Sequence, residues 1–305
     1  MLPPTNKTCF IINPRSEARH PDIQSMIKRT FSAEGDACQI VRTSHRGDGT
    51  NLARQAVDSG FERVVAVGGD GLVNEVGTAL VAQSSALGVV PCGSGNGFAR
   101  ALGISLDPET AIGSLLNATV RKLDVGQIGE DYFFSTAGLG MDAEVSNLYA
   151  DHPRGRLGLL TFVRLSMRAM ARFTPNPTQV SINGAPTTLI HPLIFSLANT
   201  CQYGYGAEIA PDARPDDGLL DLCIIDMDQH GLNAWQKIKM LLRSWRLFNG
   251  SVSRIHGASL YRFESMEIET SSPGLYHVDG EPRKAPSRLI IKVLPASLSV
   301  LLPAA

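Results

Sequence analysis

Two glycine-rich segments hold most of the residues that could do chemistry. Val64-Val65-Ala66-Val67 runs into Gly68-Gly69-Asp70-Gly71 and continues as Leu72-Val73-Asn74-Glu75. Further on, Val89-Val90-Pro91-Cys92 runs into Gly93-Ser94-Gly95-Asn96-Gly97. In each, an apolar strand pattern enters a turn whose glycines let the backbone take positive φ and approach a ligand closely. The amides that open a following helix favour an anionic group such as phosphate. Asp70 could orient a metal-bound phosphate or a donor hydroxyl, and Ser94 and Asn96 add hydrogen-bonding side chains. One such loop alone reads as a tight strand-to-helix turn. Two of them after neighbouring parallel strands would lie side by side at the carboxyl edge of the sheet, where open α/β sheets bind ligands. The pair therefore favours a phosphate site. Neither loop has the GxxxxGK[ST] or GxGxxG spacing, which excludes the two commonest nucleotide loops.

Two acidic turns are the other candidates. Asp279-Gly280-Glu281 lies between strand candidates, and its glycine permits a sharp turn that could present both acids at one edge. On spacing alone it reads as a solvated turn. Asp212, Asp216, Asp217 and Asp221 surround a Pro/Gly turn. Such a turn could bind Mg²⁺ or Ca²⁺ through side-chain and main-chain oxygens, and it is equally an ordinary hairpin turn. His45, His152, His191 and His277 share no spacing, which argues against zinc. No serine sits in a GxSxG elbow, so a serine hydrolase is not supported.

These residues need a scaffold, and its outline is legible. Thr8–Ile12, Cys38–Arg42, Arg63–Val67 and Leu87–Pro91 read as strands, with helix-compatible periodicity near Ile23–Glu34, Asn51–Ser59 and Asn74–Ala82. That alternation predicts βαβ units and a mainly parallel sheet. Near Leu123–Asp124 the pattern changes to short strands: Lys122–Ile128, Tyr132–Ala137, Gln179–Ile182, Leu189–Ala198, Leu219–Ile225, Ser259–Glu264, Met266–Thr270 and Arg288–Val293. Turns rich in Gly, Pro, Asp and Asn separate them, as in an antiparallel sandwich. The expectation is an α/β domain over residues 1–123 and a β-rich domain over 124–295, with the tail 296–305 open to rejoining the first. A chain of 305 residues is long enough for two cores.

Composition narrows the partners. A net charge of −1 removes the argument for a nucleic-acid binder. Five scattered cysteines read as free thiols in a reducing compartment. The N-terminus lacks a signal-peptide pattern and no apolar stretch is long enough to span a bilayer, so a cytoplasmic protein is expected. Two helical patterns interrupt the strands. Leu157–Phe173 carries Arg164, Arg168 and Arg172 on one face beside Leu160, Val163, Met167 and Met170. Leu232–Phe248 mixes Trp235 and Trp245 with Lys237, Lys239, Arg243 and Arg246. Each alone is an ordinary surface helix; a basic amphipathic helix also suits an anionic membrane surface.

With these motifs in order, the chain resembles the diacylglycerol kinase catalytic-domain family, which includes bacterial lipid kinases and the sphingosine and ceramide kinases. The resemblance rests on Asn13-Pro14, Gly68-Gly69-Asp70-Gly71 with Asn74-Glu75, and Pro91-Cys92-Gly93-Ser94-Gly95-Asn96. It continues through Asn199, Tyr203-Gly204-Tyr205-Gly206, Pro211, Ala213, Asp217-Gly218-Leu219-Leu220-Asp221 and Asp279-Gly280-Glu281. It implies an α/β nucleotide domain, a β-sandwich domain and an active site in the cleft between them. It implies ATP as phosphoryl donor, bound by Asn13, Thr43, Gly68, Gly69, Asp70, Gly71, Leu72, Val73, Asn74, Glu75, Gly93, Ser94 and Asn96. It implies Glu281 as general base, assisted by Asp70 and by Asp279, which would hold Glu281 or share Mg²⁺ with Asp70. A structural Mg²⁺, or Ca²⁺, would sit on Asp217 and the main-chain carbonyls of Arg214 and Leu219. The acceptor would be a membrane lipid reached by peripheral contact. Leu72, Ser94 and Gly97 resemble the sphingosine-kinase branch, so the acceptor stays open between diacylglycerol and sphingoid base or ceramide. NAD kinase and phosphofructokinase also use a Gly-Gly-Asp-Gly turn, so an NAD kinase-like enzyme is the rival within the superfamily. A non-catalytic nucleotide or lipid sensor is the rival outside catalysis. Monomer and homodimer are both open.

Overall fold

The computed structural model describes residues 7–33, 38–150, 159–204, 207–226 and 258–304. They divide into two compact units, Met1–Leu123 with Ala296–Ala305, and Asp124–Pro295.

The first unit is α/β. Its strands β1 (Thr8–Ile12), β2 (Cys38–Arg42), β3 (Arg63–Gly68) and β4 (Ala86–Pro91) lie parallel in the order β2-β1-β3-β4. Strands β1, β3 and β4 are buried almost throughout, which explains their unbroken apolar runs. Between them run α1 (Pro14–Arg19), α2 (Ile23–Ala33), α3 (Asp48–Asp58) and α4 (Asp70–Leu80). Ile23, Ile27 and Phe31 fall on one face of α2 and are fully buried. Phe31 meets the edge of Phe10 at 4.9 Å. Two short helices follow β4, α5 (Gly97–Ala101) and α6 (Pro108–Ser114).

Local chemistry moves several expected boundaries. Asn13-Pro14-Arg15-Ser16 is not a turn but the start of α1: Asn13 caps it by accepting from the Arg15 amide, and Pro14 takes the first helical position. Helix α4 begins at Asp70 rather than Asn74, with Gly69 as its cap. Asp70 thus opens a helix instead of standing in an exposed turn.

The second unit is a β-sandwich. Its elements are β5 (Thr119–Ile128, from Asp124 on), β6 (Asp131–Phe133), β7 (Thr136–Gly140), α7 (Met141–Ala150), α8 (Leu159–Arg172), β8 (Thr178–Ile182), β9 (Thr188–Ile190) and β10 (Pro192–Ala198). There follow β11 (Gln202–Gly204), β12 (Ala207–Glu208), β13 (Leu220–Asp226), β14 (Ala258–Phe263), β15 (Ser265–Thr270), β16 (Gly274–Val278), β17 (Glu281–Ala285) and β18 (Arg288–Leu302). One antiparallel sheet runs β14-β13-β10-β7-β16-β17. The facing layer pairs β9-β8-β15-β18, with β5 also on β18 and β6 on β5. Their inner faces share a core that includes Phe133, Phe195, Leu222, Phe263, Ile268 and Ile291. Tyr132–Ala137 and Leu189–Ala198, each expected as one strand, are two apiece. The hairpin β16–β17 and helix α7 were not anticipated. The expected helix Leu157–Phe173 is described from Leu159 to Arg172. The expected helix Leu232–Phe248, with its tryptophans and basic residues, lies outside the described residues, as do Tyr205 and Gly206. Strand β18 belongs to the second unit up to Pro295 and to the first from Ala296, where Val300 pairs in parallel with Leu87 of β4.

Candidate functional site

In the first unit the two glycine loops meet. They leave neighbouring strands in register, Gly68 opposite Pro91, and the Cys92 amide donates to Gly68 O at 2.8 Å. A Cβ on Gly93 would stand 2.6 Å from the Cα of Gly69, and one on Gly69 would stand 3.1 Å from the Cα of Gly93. Any side chain at residue 93 would thus push the backbones apart. Asn96 shapes the second loop. In the left-handed region at φ 51°, it accepts from the Gly93 amide at 2.9 Å and donates to Gly93 O at 3.0 Å. Asp70 reaches across to this loop and accepts from the Phe98 amide at 3.3 Å. Burial pushes its carboxyl above the usual range, against the smaller pull of the Gly97, Phe98 and Asn96 amides. Gly69 caps α4 without a side-chain hydrogen bond. The Gly69 carbonyl accepts from the Leu72 amide at 3.0 Å and the Val73 amide at 3.1 Å, so the start of α4 is fixed beside the Gly69–Gly93 contact.

The remaining expected nucleotide residues separate by role. Leu72 and Val73 are buried, and Leu72 packs over Gly68 and Gly49. Asn74 and Thr43 are buried as well. Glu75 faces α3: its two carboxylate oxygens accept from the Gly47 amide at 2.8 Å and the Gly49 amide at 2.9 Å. It serves as the cap that Gly47 lacks a side chain to provide. Ser94 is half-buried in the second loop. Arg19 was not anticipated: at the end of α1 its guanidinium donates to Cys92 O at 3.1 Å and brings a positive charge to the second loop. An arginine closing a short helix carries no sequence signal for this.

In the second unit, Asp279-Gly280 forms a two-residue hairpin loop between Val278 and Glu281, with φ of 48° and 82°. Both positive angles fit a type I′ turn, for which Asp-Gly is a favoured pair. Glu281 is the first residue of β17 and is partly buried. Asp279 turns away to the segment 134–136, accepting from the amides of Phe134 at 3.0 Å, Ser135 at 2.8 Å and Thr136 at 3.0 Å. Three amides on one carboxylate make it a clamp on the start of β7. Asn199 holds the same segment, donating to Phe134 O at 3.0 Å and to Asp124 O at 2.9 Å. Deeper, the Tyr203 hydroxyl donates to Asp142 and bonds Ser196. Burial pushes the Asp142 carboxyl up to about 6, despite those hydroxyls, and pushes the His277 imidazole down to about 4. A cavity of about 230 Å³ opens in this unit, lined by Leu139, Phe173, Phe195, Leu275 and Ala285 and by the polar Glu144, Asn176, Thr178, Thr270 and Ser272.

The side chains at the expected cation site are engaged with other residues in this structure. Asp217 accepts from the Leu219 amide at 3.2 Å and forms an ion pair with Arg262, whose guanidinium also lies 3.8 Å from Asp221. Arg214 faces Asp216 at 3.4 Å. A guanidinium thus already neutralises the turn where Asp217, with the carbonyls of Arg214 and Leu219, was expected to hold Mg²⁺ or Ca²⁺. Among the described residues no group of three or more His, Cys, Asp or Glu stands together to hold a metal. As they stand, these residues do not fit a divalent ion.

Residues 7–128 match the diacylglycerol kinase catalytic domain, and residues 135–302 match the YegS C-terminal NAD kinase β-sandwich-like domain. The chain belongs to the diacylglycerol kinase catalytic-domain family, a family of kinases. A protein of Chromohalobacter salexigens named "Probable lipid kinase YegS-like" is 35% identical over 223 residues, 72% of this chain and 70% of its own. A protein of Pseudomonas putida with the same name is 30% identical over 291 residues, 92% of each chain. The crystal structure of a diacylglycerol kinase from Bacillus anthracis has the same fold, with a TM-score of 0.71 at 18% identity over 97% of each chain.

Proposed function

We propose that the chain transfers the γ-phosphoryl group of ATP to a hydroxyl of a membrane lipid, of the diacylglycerol or the sphingoid and ceramide type. One observation carries the reading: the backbone contact of Gly69 with Gly93 where the two glycine loops meet at the start of α4. Phosphoryl transfer asks mainly for positioning and charge stabilisation, and backbone amides on a fixed loop supply both. Ser94 adds a hydroxyl, and Asp70 ties the two loops so that neither can drift. Mg²⁺ would arrive on the triphosphate. Glu281 takes the proton of the acceptor hydroxyl, and Asp279 fixes the turn from which Glu281 emerges.

The names of the relatives support a lipid acceptor, as does the largely apolar cavity of the second unit. The bilayer would be met through α8. Its outward face carries Leu160, Val163 and Met167 beside Arg164, Arg168 and Arg172, and the helix has no acidic residue. No helix among the described residues is long and apolar enough to cross a membrane.

Incubation with ATP, Mg²⁺ and a panel of diacylglycerol, sphingoid base, ceramide and NAD, read by mass spectrometry, should yield a phosphorylated lipid. Phosphorylation of NAD alone would overturn the reading. On the lipid that responds, Glu281→Gln should lower turnover by ~10²–10⁴-fold with ATP binding nearly unchanged. Loss of ATP binding instead would move Glu281 out of the base role.

A further inference from the structure

The turn that carries Glu281 rests on a histidine that the proposed chemistry leaves unused. In a two-residue type I′ hairpin the flanking residues, here Val278 and Glu281, make the closing pair. The amide of Gly280 then has no place in the ladder. It donates instead to Nδ1 of His277 at 3.3 Å. A ring nitrogen that accepts carries no proton, so the imidazole is neutral and its proton lies on Nε2.

That second nitrogen makes the residue type informative. His277 is 1% exposed, and Nε2 has no hydrogen-bond partner among the described residues. A buried N–H without a partner is a cost that Leu or Phe at the same place would avoid. What the imidazole gives in return is the acceptor at Nδ1. The neighbouring strand is cut to fit it. Gly138 of β7 is the cross-strand partner of His277, and a Cβ at residue 138 would stand 3.0 Å from Nε2 and 3.0 Å from Asp142 Oδ2. The Tyr203 ring, centred 6.5 Å away, lies tilted to the imidazole.

We propose that His277 is a positioning residue for Glu281. Asp279 is held through its carboxylate on the amides of 134–136, and Gly280 is held through its amide on His277. With both turn residues tied, Glu281 leaves the turn in one direction. This role rests on the reading of Glu281 as the base.

Three variants separate the contributions. His277→Asn keeps an acceptor at the Nδ1 position and exchanges Nε2–H for a side-chain NH2 closer to the backbone. His277→Gln moves the amide out to the Nε2 position. His277→Leu keeps bulk without any acceptor. The Asn variant should hold kcat near wild type. The Leu and Gln variants should lose about 10- to 100-fold in kcat, the scale of a small misplacement of a reacting group, with KM for ATP unchanged. The Gly280 amide, followed by hydrogen exchange, should be protected in wild type and Asn and exposed in Gln and Leu. Should the Leu variant fail to fold, the Asn and Gln pair still decides. An unchanged kcat in Gln or Leu overturns the proposal, and so does an Asn variant as impaired as Gln. Full activity of Glu281→Gln with Gly280 still protected would mean that the base reading, not the tie to His277, has failed.

Discussion

Asp142 shows what a single buried acid does to the second unit. Burial raises its carboxyl from 3.8 to about 6, so the folded state holds its proton where the unfolded chain has released it. Its contribution to stability is full below pH 3.8 and is lost as pH rises through about 6. Asp142→Asn cannot titrate but still accepts from Tyr203. Its melting temperature should lose that decline, and above pH 6 it should melt at or above wild type. Melting lowered by the same amount at every pH would refute this. The residue scale is also where residue type and spacing say least. Glu75, Asn96 and Asp279 stand in glycine-rich or turn segments and have the types that contact phosphates or metals. All three are engaged with amides of their own chain. An acceptor placed for a backbone amide and one placed for a ligand obey the same chemistry, so type and spacing cannot separate them. That the two glycine loops lie side by side was legible, because glycine-rich turns after adjacent parallel strands have few other uses.

Among elements, the acidic turn before β13 is the one whose partner changed. Arg262, on the neighbouring strand β14, pairs with Asp217 and lies near Asp221, whose carboxyl burial pushes up to about 6 against the pull of that arginine. Chelator should therefore leave the melting temperature of the wild type unchanged. Arg262→Ala should lower it and make it responsive to added Mg²⁺, since Asp217 and Asp221 would then face each other without a cation. A wild type that melts lower in chelator would restore the cation site. Nothing near Asp217 in sequence announces Arg262; only the pairing of Asp221 with Arg262 across the ladder does. The hairpin β16–β17 escaped for a related reason. Glu281-Pro282-Arg283-Lys284 lies on a sheet edge, where Pro is tolerated and no apolar alternation is demanded. Its only signal was Asp279-Gly280. The continuous runs of β1, β3 and β4 were plain, since burial on both faces leaves no room for polar residues.

For the whole molecule the decisive strand is β18. Leu298, Val300, Leu301 and Leu302 are buried in the first unit, against β4. Deleting residues 296–305 should expose that edge of the parallel sheet and abolish ATP binding. The second unit keeps β18 through Pro295 and should still resist limited proteolysis. A truncated chain that binds ATP as well as wild type would show that the last strand is dispensable. The return of the tail was not legible, because a pairing between Leu87 and Val300 leaves no trace in any local pattern. That pairing also sets an order in time. A ribosome adds roughly 5–20 residues per second, so the strand that completes the parallel sheet emerges roughly 10–40 s after the strand it must join. The whole sandwich is translated in between. A nascent chain stalled anywhere before Ala296 has not yet made the strand that pairs with β4, and ATP binding should appear only in a polypeptide translated past that point.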